Sequence, residues 1–428
     1  MNETAIYELF LQYRRISTDT RNIEPQSIFF ALRGANFNGN AFAQEALTKG
    51  AVCAVIDDAK YKTENCILVN NVLETLQNIA RTYRRSLPIP FIAIAGSNGK
   101  TTTKELTAAV LSQKYKTFAT KGNLNNHIGV PLTLLSIPKD TEIAVIELGA
   151  NHLKETAFLC QIAEPNFGVV TNVGLDHLEG FGSIEGVAKA NGELYEYLLQ
   201  NNGKIFYNTQ EDSLKKISVQ IPENQVITYP NKNDFFHVEY LNDDLFLSYI
   251  PENQEIVQTK LIGKYNFANV ATALCIGKYF GVEAQKANEA IANYQPNNNR
   301  SQLLQKGSTT IILDAYNANP SSMKEAIENF AKLPHKKKIV ILGQMNELGK
   351  YSTQEHQNLG KLLAKYNFEK IILYGDEMQA ALEFVPKAYF FTDKFSLHNW
   401  LKDNNFSDYF VLIKGSRGTK MESVLEFL

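Results

Sequence analysis

The sequence predicts an α/β protein of three domains, two of them built on open, mostly parallel sheets. Three observations predict it. Apolar runs of strand length alternate with helical segments from residue 91 to about 296, and again from about 297 to the end. A glycine-bearing loop at residues 96–102 joins one such run, FIAIA, to a helical segment. The chain of 428 residues is long for one core, and that length implies two to four domains.

The first unit, residues 1–86, mixes helical stretches with short strand-like runs at 28–32, 52–56 and 67–69, and closes on the turn-like SLPIP. The second, residues 87–297, carries FIAIA, AVIEL, FGVVTNV and KIFYN, each an apolar run of the buried parallel type. Toward its end FFHVEYL, LFLSYI and EIVQTKLI read as three antiparallel strands turning at Asn242-Asp243 and Pro251-Glu252-Asn253, followed by a helix from about Asn266 to Phe280. The third, residues 298–428, alternates TTIILD, KKIVILG, KIILYG, KAYFFT and YFVLIKG with helices, which predicts a second, Rossmann-like sheet. NNNR at residues 297–300 reads as the hinge between the last two.

Composition narrows the function. A formal net charge of −2 gives no electrostatic case for nucleic acid or an acidic membrane as partner. The densest basic run, between Lys332 and Lys338, reads as a solvated linker. Cys53, Cys66, Cys160 and Cys275 show no paired spacing, and the surroundings of Cys53, Cys160 and Cys275 suggest buried free thiols. The first residues have neither the basic start nor the apolar stretch of a signal peptide, and no window approaches a membrane span. A cytoplasmic chain is expected.

Gly96, Ser97, Asn98, Gly99, Lys100, Thr101 and Thr102 form the most informative segment. Glycines there allow backbone N–H groups to point at phosphate oxygens, and the helix N-terminus that follows favours negative charge. Lys100 would reach the β- and γ-phosphates, and the Thr101 hydroxyl would face Mg²⁺. The first glycine of the common pattern would fall at Ile94, so the match is incomplete; a plain strand-to-helix turn is the competing reading. In an open α/β sheet ligands sit beyond the carboxyl ends of the strands. That brings Glu147, at the end of AVIEL, and His177, after FGVVTNV, toward the same loop as candidate Mg²⁺ ligands.

With TKGNLNNHIGVP (residues 120–131) added, the chain resembles the Mur ligase family over nearly its whole length. The resemblance extends through STDTRNIEPQSIFFALRGANFNGNAF, LGANHLKE, TNVGLDHLEGFGSIEGVAKANGEL, DAYNANPSSM, GQMNELG and LIKGSRGTKMES. It implies an enzyme that uses ATP and Mg²⁺ to turn a peptide carboxylate into an acyl phosphate, which an amine then attacks. DAYNANPSSM is the most selective signature. It implies the member whose amine is D-alanyl-D-alanine and whose carboxylate belongs to UDP-N-acetylmuramoyl-tripeptide; an earlier-step muramyl-peptide ligase or a folylpolyglutamate-type synthase is the alternative. A nucleotide switch that ligates nothing is a reading of another class.

The resemblance also assigns residues. Lys100, Glu147 and His177 would be catalytic, with Thr101, Glu147 and His177 on the metal. The central domain would be of the P-loop ATPase type, and the first domain would bind the uridylate. Thr18, Asp19, Thr20 and Arg21 match the uridylate segment, and Asn123, Asn125 and Asn126 are grouped with that substrate. In LIGKYNFANVATA, Asn266 and Asn269 match positions beside adenine, with Tyr265 standing where histidine is usual; helix N-capping is the bland reading of both asparagines. Arg300 would meet nucleotide phosphate on domain closure and Asp314 would touch the ribose or orient the YNANP loop, while Tyr316, Asn317 and Asn319 would shape the dipeptide or nucleotide pocket; a turn-forming cluster is the bland reading. Two departures stand out. Gln344 replaces a usual aspartate. Asn191 occupies the place of a lysine that is carbamylated in the family to ligate metal. Three readings follow: the Asn191 amide bridges to metal through water, which is favoured; Lys189 takes over; or the enzyme manages without. A monomer is expected, open until its substrates bind.

Overall fold

The computed structural model describes residues 2–242, 244–252, 255–335 and 337–428. The first sheet is small and wholly parallel, in the order Ile16–Ser17, Ile28–Phe30, Cys53–Ile56, Cys66–Leu68. Its two outer strands are two and three residues long; the helix Ala43–Thr48 packs on one face and the helix Val72–Arg85 on the other. That helix buries Val72, Leu76, Ile79 and Tyr83 on one face, at the 3–4 residue spacing of an amphipathic helix.

The central sheet has six parallel strands. Phe91–Ala95 lies in its middle, between Phe167–Val170 and Ile143–Glu147, with all five side chains at most 1 % exposed. Continuous burial fits a strand covered on both faces. Two strands of this sheet, Thr117–Ala119 and Val226–Tyr229, were not anticipated from sequence; both are short edge strands with mixed burial, so neither shows a continuous apolar run. The three antiparallel strands appear as Val238–Asn242, Ser248–Pro251 and Val257–Gln258. Of their expected turns, Asp243 and Asn253 lie outside the described residues.

The third sheet also has six strands, parallel except for Gln302–Lys306, which pairs antiparallel with Thr309–Asp314 at one edge. Between the second and third sheets, Asn298, Asn299 and Ser301 all take left-handed φ values (62°, 57° and 46°). Asparagine tolerates that region better than most residues, which is a local reason for the NNNR composition. The basic run departs from the solvated linker expected of it: Lys337 is exposed, but Lys338 begins a strand, is buried, and donates to the Ala331 carbonyl at 2.5 Å. All four cysteines are free; Cys53, Cys160 and Cys275 are buried, and loss of hydration pushes the Cys53 thiol up to about 12. Among the described residues no helix is long and apolar enough to cross a membrane.

Candidate active site

The strand Phe91–Ala95 ends at the loop, and the helix Lys100–Leu111 starts from it. Gly96 and Gly99 hold φ values of +126° and +81°, a region that L-residues with a side chain rarely enter. A Cβ on Gly96, two residues after the position where the common pattern has its first glycine, would also lie 2.1 Å from Thr171 Oγ1. The neighbouring loop fixes the rest. Asn98 N donates to Asn172 Oδ1 (3.0 Å), Thr171 Oγ1 to Asn98 O (2.6 Å), and Ser97 Oγ to Asp176 Oδ1 (2.6 Å). Lys100 Nζ folds back onto the Gly96 and Ser97 carbonyls, the nearest acceptors of its charge.

Thr101 Oγ1 donates to Glu147 Oε1 at 3.2 Å, and Asn125 Nδ2 donates to the same oxygen at 2.8 Å. The second carboxylate oxygen, Glu147 Oε2, is buried with no hydrogen-bond partner. Lys104 Nζ is 3.9 Å from it, but is spent on the Thr120 carbonyl at 2.7 Å. A buried carboxylate oxygen left unpartnered is costly, unless a cation completes it. Among the described residues no three His, Cys, Asp or Glu side chains form a metal cluster. A hydroxyl, one carboxylate and oxygens supplied by a nucleotide fit Mg²⁺, which keeps few protein ligands and takes phosphate oxygens.

These side chains line one wall of a cleft of about 840 Å³. The opposite wall comes from the third sheet. Arg300 stacks on Tyr316, its Cζ 3.7 Å from the ring centre, and its Nε is buried without a partner. Asp314 and Lys414, in register on adjacent strands, form a buried ion pair, and Asp314 Oδ1 also accepts from Ser301 N (3.1 Å). Asn319 caps the helix Pro320–Lys332 and donates through Nδ2 to Asn98 Oδ1 of the phosphate loop at 2.8 Å. Leu175 N donates to Ser321 Oγ (3.1 Å), Tyr351 Oη to the Gly182 carbonyl (3.1 Å), and Glu347 Oε2 meets His177 Nδ1. The third sheet is therefore seated on the phosphate loop in this conformation. The polar contacts just named hold it there.

Several expected residues take different places. Asn266 and Asn269 do not cap the helix Asn266–Tyr279, whose first turn has no side-chain cap. They form a buried ladder instead: Asn266 Nδ2 donates to Ile262 O (2.8 Å), Asn269 Nδ2 to Asn266 Oδ1 (2.9 Å), and Thr103 Oγ1 to Asn269 Oδ1 (2.9 Å). The ladder ties that helix to the one that starts at the phosphate loop. Tyr265 also lines the cleft, its hydroxyl 2.8 Å from Ser301 Oγ. Asn123 lines the cleft, Asn125 serves Glu147, and Asn126 accepts from Gly129 N (2.8 Å) at the start of the next helix.

Thr18, Asp19, Thr20 and Arg21 are not among the cleft-lining residues. There Arg21 holds Asp19 through a bidentate pair that keeps its carboxyl down at about 2. Asn191 is buried and also outside the lining; its amide donates to Val187 O (3.1 Å) in its own helix. Lys189 is exposed. Neither side chain reaches the cleft. Gln344 turns toward Asn346 and the 376–377 turn. Lys104, Lys414 and Glu347 escaped notice in the sequence; the only signal for the two lysines was a charge at the end of an apolar segment or one turn past the phosphate loop.

Fold and site together define the class: a multidomain α/β enzyme built around a phosphate-binding loop. The chain belongs to the Mur ligase family. Residues 12–95 match the model described as Mur ligase family, catalytic domain; residues 94–277 match the Mur ligase middle domain; residues 299–417 match the Mur ligase, glutamate ligase domain. It is 33 % identical to the UDP-N-acetylmuramoyl-tripeptide–D-alanyl-D-alanine ligase of Bacillus subtilis, over 96 % of this chain and 92 % of that one. It is also 33 % identical to that of Escherichia coli, over 96 % and 93 %. Among solved structures it superposes on MurF from Acinetobacter baumannii with a TM-score of 0.85 at 29 % identity, covering 97 % of this chain and 93 % of that one. For MurF ligase from Thermotoga maritima in complex with ADP the TM-score is 0.83 at 25 % identity, covering 97 % of each.

Proposed function

We propose that this chain is the ATP-dependent ligase that joins D-alanyl-D-alanine to the terminal carboxylate of UDP-N-acetylmuramoyl-tripeptide, releasing ADP and phosphate. The observation that carries the reading is the seating of the DAYNANPSSM segment on the phosphate loop through Asn319 and Asn98, in a chain whose curated relatives bear that ligase's name.

The geometry and the family resemblance support these roles. Backbone N–H groups of the 96–102 loop cradle the phosphates, and Lys100 leaves its carbonyl partners to clamp them. Mg²⁺ held by Thr101, Glu147 and His177 would neutralise charge on the nucleotide phosphates. Asn125 fixes the Glu147 carboxylate in the orientation that leaves Oε2 free. Arg300 brings an unpartnered Nε–H to the cleft, suited to a phosphate oxygen. Asp314 is the acceptor for ribose hydroxyls, and Lys414 holds it in place. Tyr265 offers an aromatic face to adenine. The tripeptide carboxylate attacks the γ-phosphorus in line, and the resulting acyl phosphate is taken by the dipeptide amine between Tyr316, Asn317 and the phosphate loop. The uridylate is carried by the first unit at Thr18–Arg21, with residues 1–86, 87–297 and 298–428 as the three domains. On this reading the enzyme is a monomer acting in the cytoplasm, with which its free cysteines are compatible.

A coupled phosphate-release assay tests this. Turnover is expected only with ATP, Mg²⁺, UDP-muramoyl-tripeptide and D-Ala-D-Ala together, from a species with the mass of one chain by light scattering. Turnover with a single amino acid but not the dipeptide would instead assign an earlier-step ligase, and hydrolysis indifferent to both would assign a switch.

A further inference from the structure

Glu325 lies one turn into the helix Pro320–Lys332, which begins at the Asn319 cap on the phosphate loop. Its side chain lines the cleft, exposed to it, while protein walls replace much of the bulk water around it. Among the described residues no hydrogen bond or ion pair engages it. The charges around it come from three elements: Glu328 and Lys324 on its own helix, Lys414 on the neighbouring strand, and Glu211 from the central unit. Lys414 is already committed to Asp314 and to the Asn317 carbonyl, and Lys324 reaches toward Glu328 at 4.0 Å.

A free carboxylate on the wall of a substrate cleft is matched by a cationic ligand. The proposed reaction supplies one, the ammonium of the incoming dipeptide. That ammonium must lose a proton before its nitrogen can attack. We propose that Glu325 receives the ammonium of the acceptor dipeptide and takes its proton. The proposal rests on the ligase reading above. In balance, R–NH₃⁺ and the Glu325 carboxylate give R–NH₂ and the carboxylic acid. The nitrogen lone pair forms the C–N bond to the acyl phosphate, the C–O bond to phosphorus breaks with its electron pair on phosphate, and the second amine proton follows to that phosphate. Glu325 returns its proton to water when the product leaves.

Partial loss of hydration in the cleft, reinforced by Glu211, raises the Glu325 carboxyl above its ordinary range, the direction that a base for an amine needs. The experiment compares wild type, Glu325→Gln and Glu328→Gln with two acceptors, D-Ala-D-Ala and hydroxylamine. Hydroxylamine is neutral at pH 7 and traps the acyl phosphate without needing a base. Expected for Glu325→Gln is a loss of about 10²-fold in kcat/KM for the dipeptide at pH 7. That deficit should shrink as pH rises past the amine's own pKa, while hydroxamate formation stays within about twofold of wild type. Glu328→Gln should change neither. A Glu325→Gln enzyme with unaltered dipeptide kcat/KM, or with hydroxamate formation reduced in equal proportion, overturns the assignment. Wild type that makes hydroxamate but ignores the dipeptide would sink the ligase reading instead, so the two failures are distinguishable.

Discussion

His356 shows how one side chain can hold a loop that serves a distant site. It is fully buried, its Nδ1–H donates to Ser352 O at 2.8 Å, and its bare Nε2 accepts from Met345 N at 3.1 Å. That pair of bonds requires the neutral ring, and it anchors the segment that carries Glu347 to His177. Burial lowers the His356 pKa below its ordinary 6.5, against a smaller upward pull from Ser352 and Glu377. As pH falls below about 6.5 the unfolded chain takes a proton that the folded chain refuses, so this contribution to stability is present above that pH and lost below it. The urea midpoint should therefore fall between pH 7.5 and pH 5.5, and His356→Gln should flatten that fall while lowering the midpoint at pH 7.5. An unchanged slope in the variant would remove His356 from the account.

Between elements, the polar ladder Thr103–Asn269–Asn266 does work that apolar packing does not. The helices Lys100–Leu111 and Asn266–Tyr279 pack tightly, and a Cβ on Gly99 would meet Asn269 Oδ1 at 2.4 Å. The ladder thus sets the depth at which the phosphate loop sits. Asn269→Ala would strip the Thr103 hydroxyl and Asn266 Oδ1 of their partners in a buried place, at a cost of about 1–3 kcal/mol. The expected result is a lower urea midpoint together with a raised KM for ATP; an ATP KM that stays at the wild-type value would show that the ladder supports the fold alone. The apolar runs and the GSNGKTT spacing made the strand, loop and helix legible in advance. The ladder was not legible, because its members are 166 residues apart and each asparagine alone reads as a helix cap.

For the whole molecule, the decisive contact is the seating of the third sheet on the central one. Glu347, held at a left-handed φ of 62°, reaches His177, and its own carbonyl accepts from Glu179 N at 3.1 Å. The carboxylate on Nδ1 leaves His177 Nε2 as the nitrogen available to a metal, the usual division of labour for a ligating histidine. Glu347→Ala should loosen the seating. By small-angle scattering with ADP and Mg²⁺ the variant should show a larger radius of gyration than wild type, and kcat should fall by roughly 10–100-fold. Identical radii and rates would mean that Asn319 and Ser321 suffice to hold the closed form.

The sequence alone determined the three α/β units and the strand, glycine-bearing loop and helix around residues 96–102, and it put Glu147 and His177 at strand ends that prove to line the same cleft, because strand periodicity, glycine backbone freedom and the order of strands and loops are local or topological rules. It could not decide what each side chain is bonded to. Asn191 and Lys189 illustrate this: the family resemblance implied a metal position at Asn191 with Lys189 as its alternative, whereas the fold turns Asn191 onto its own helix and Lys189 to solvent. The partners of Glu147, the Asp314–Lys414 pair and the contact of Glu347 with His177 arise from residues tens to hundreds of positions apart. The first two are decided by which strands and loops lie side by side within one sheet, and the meeting of Glu347 with His177 by how two sheets dock; each is set by the sum of many weak contacts rather than by any one segment.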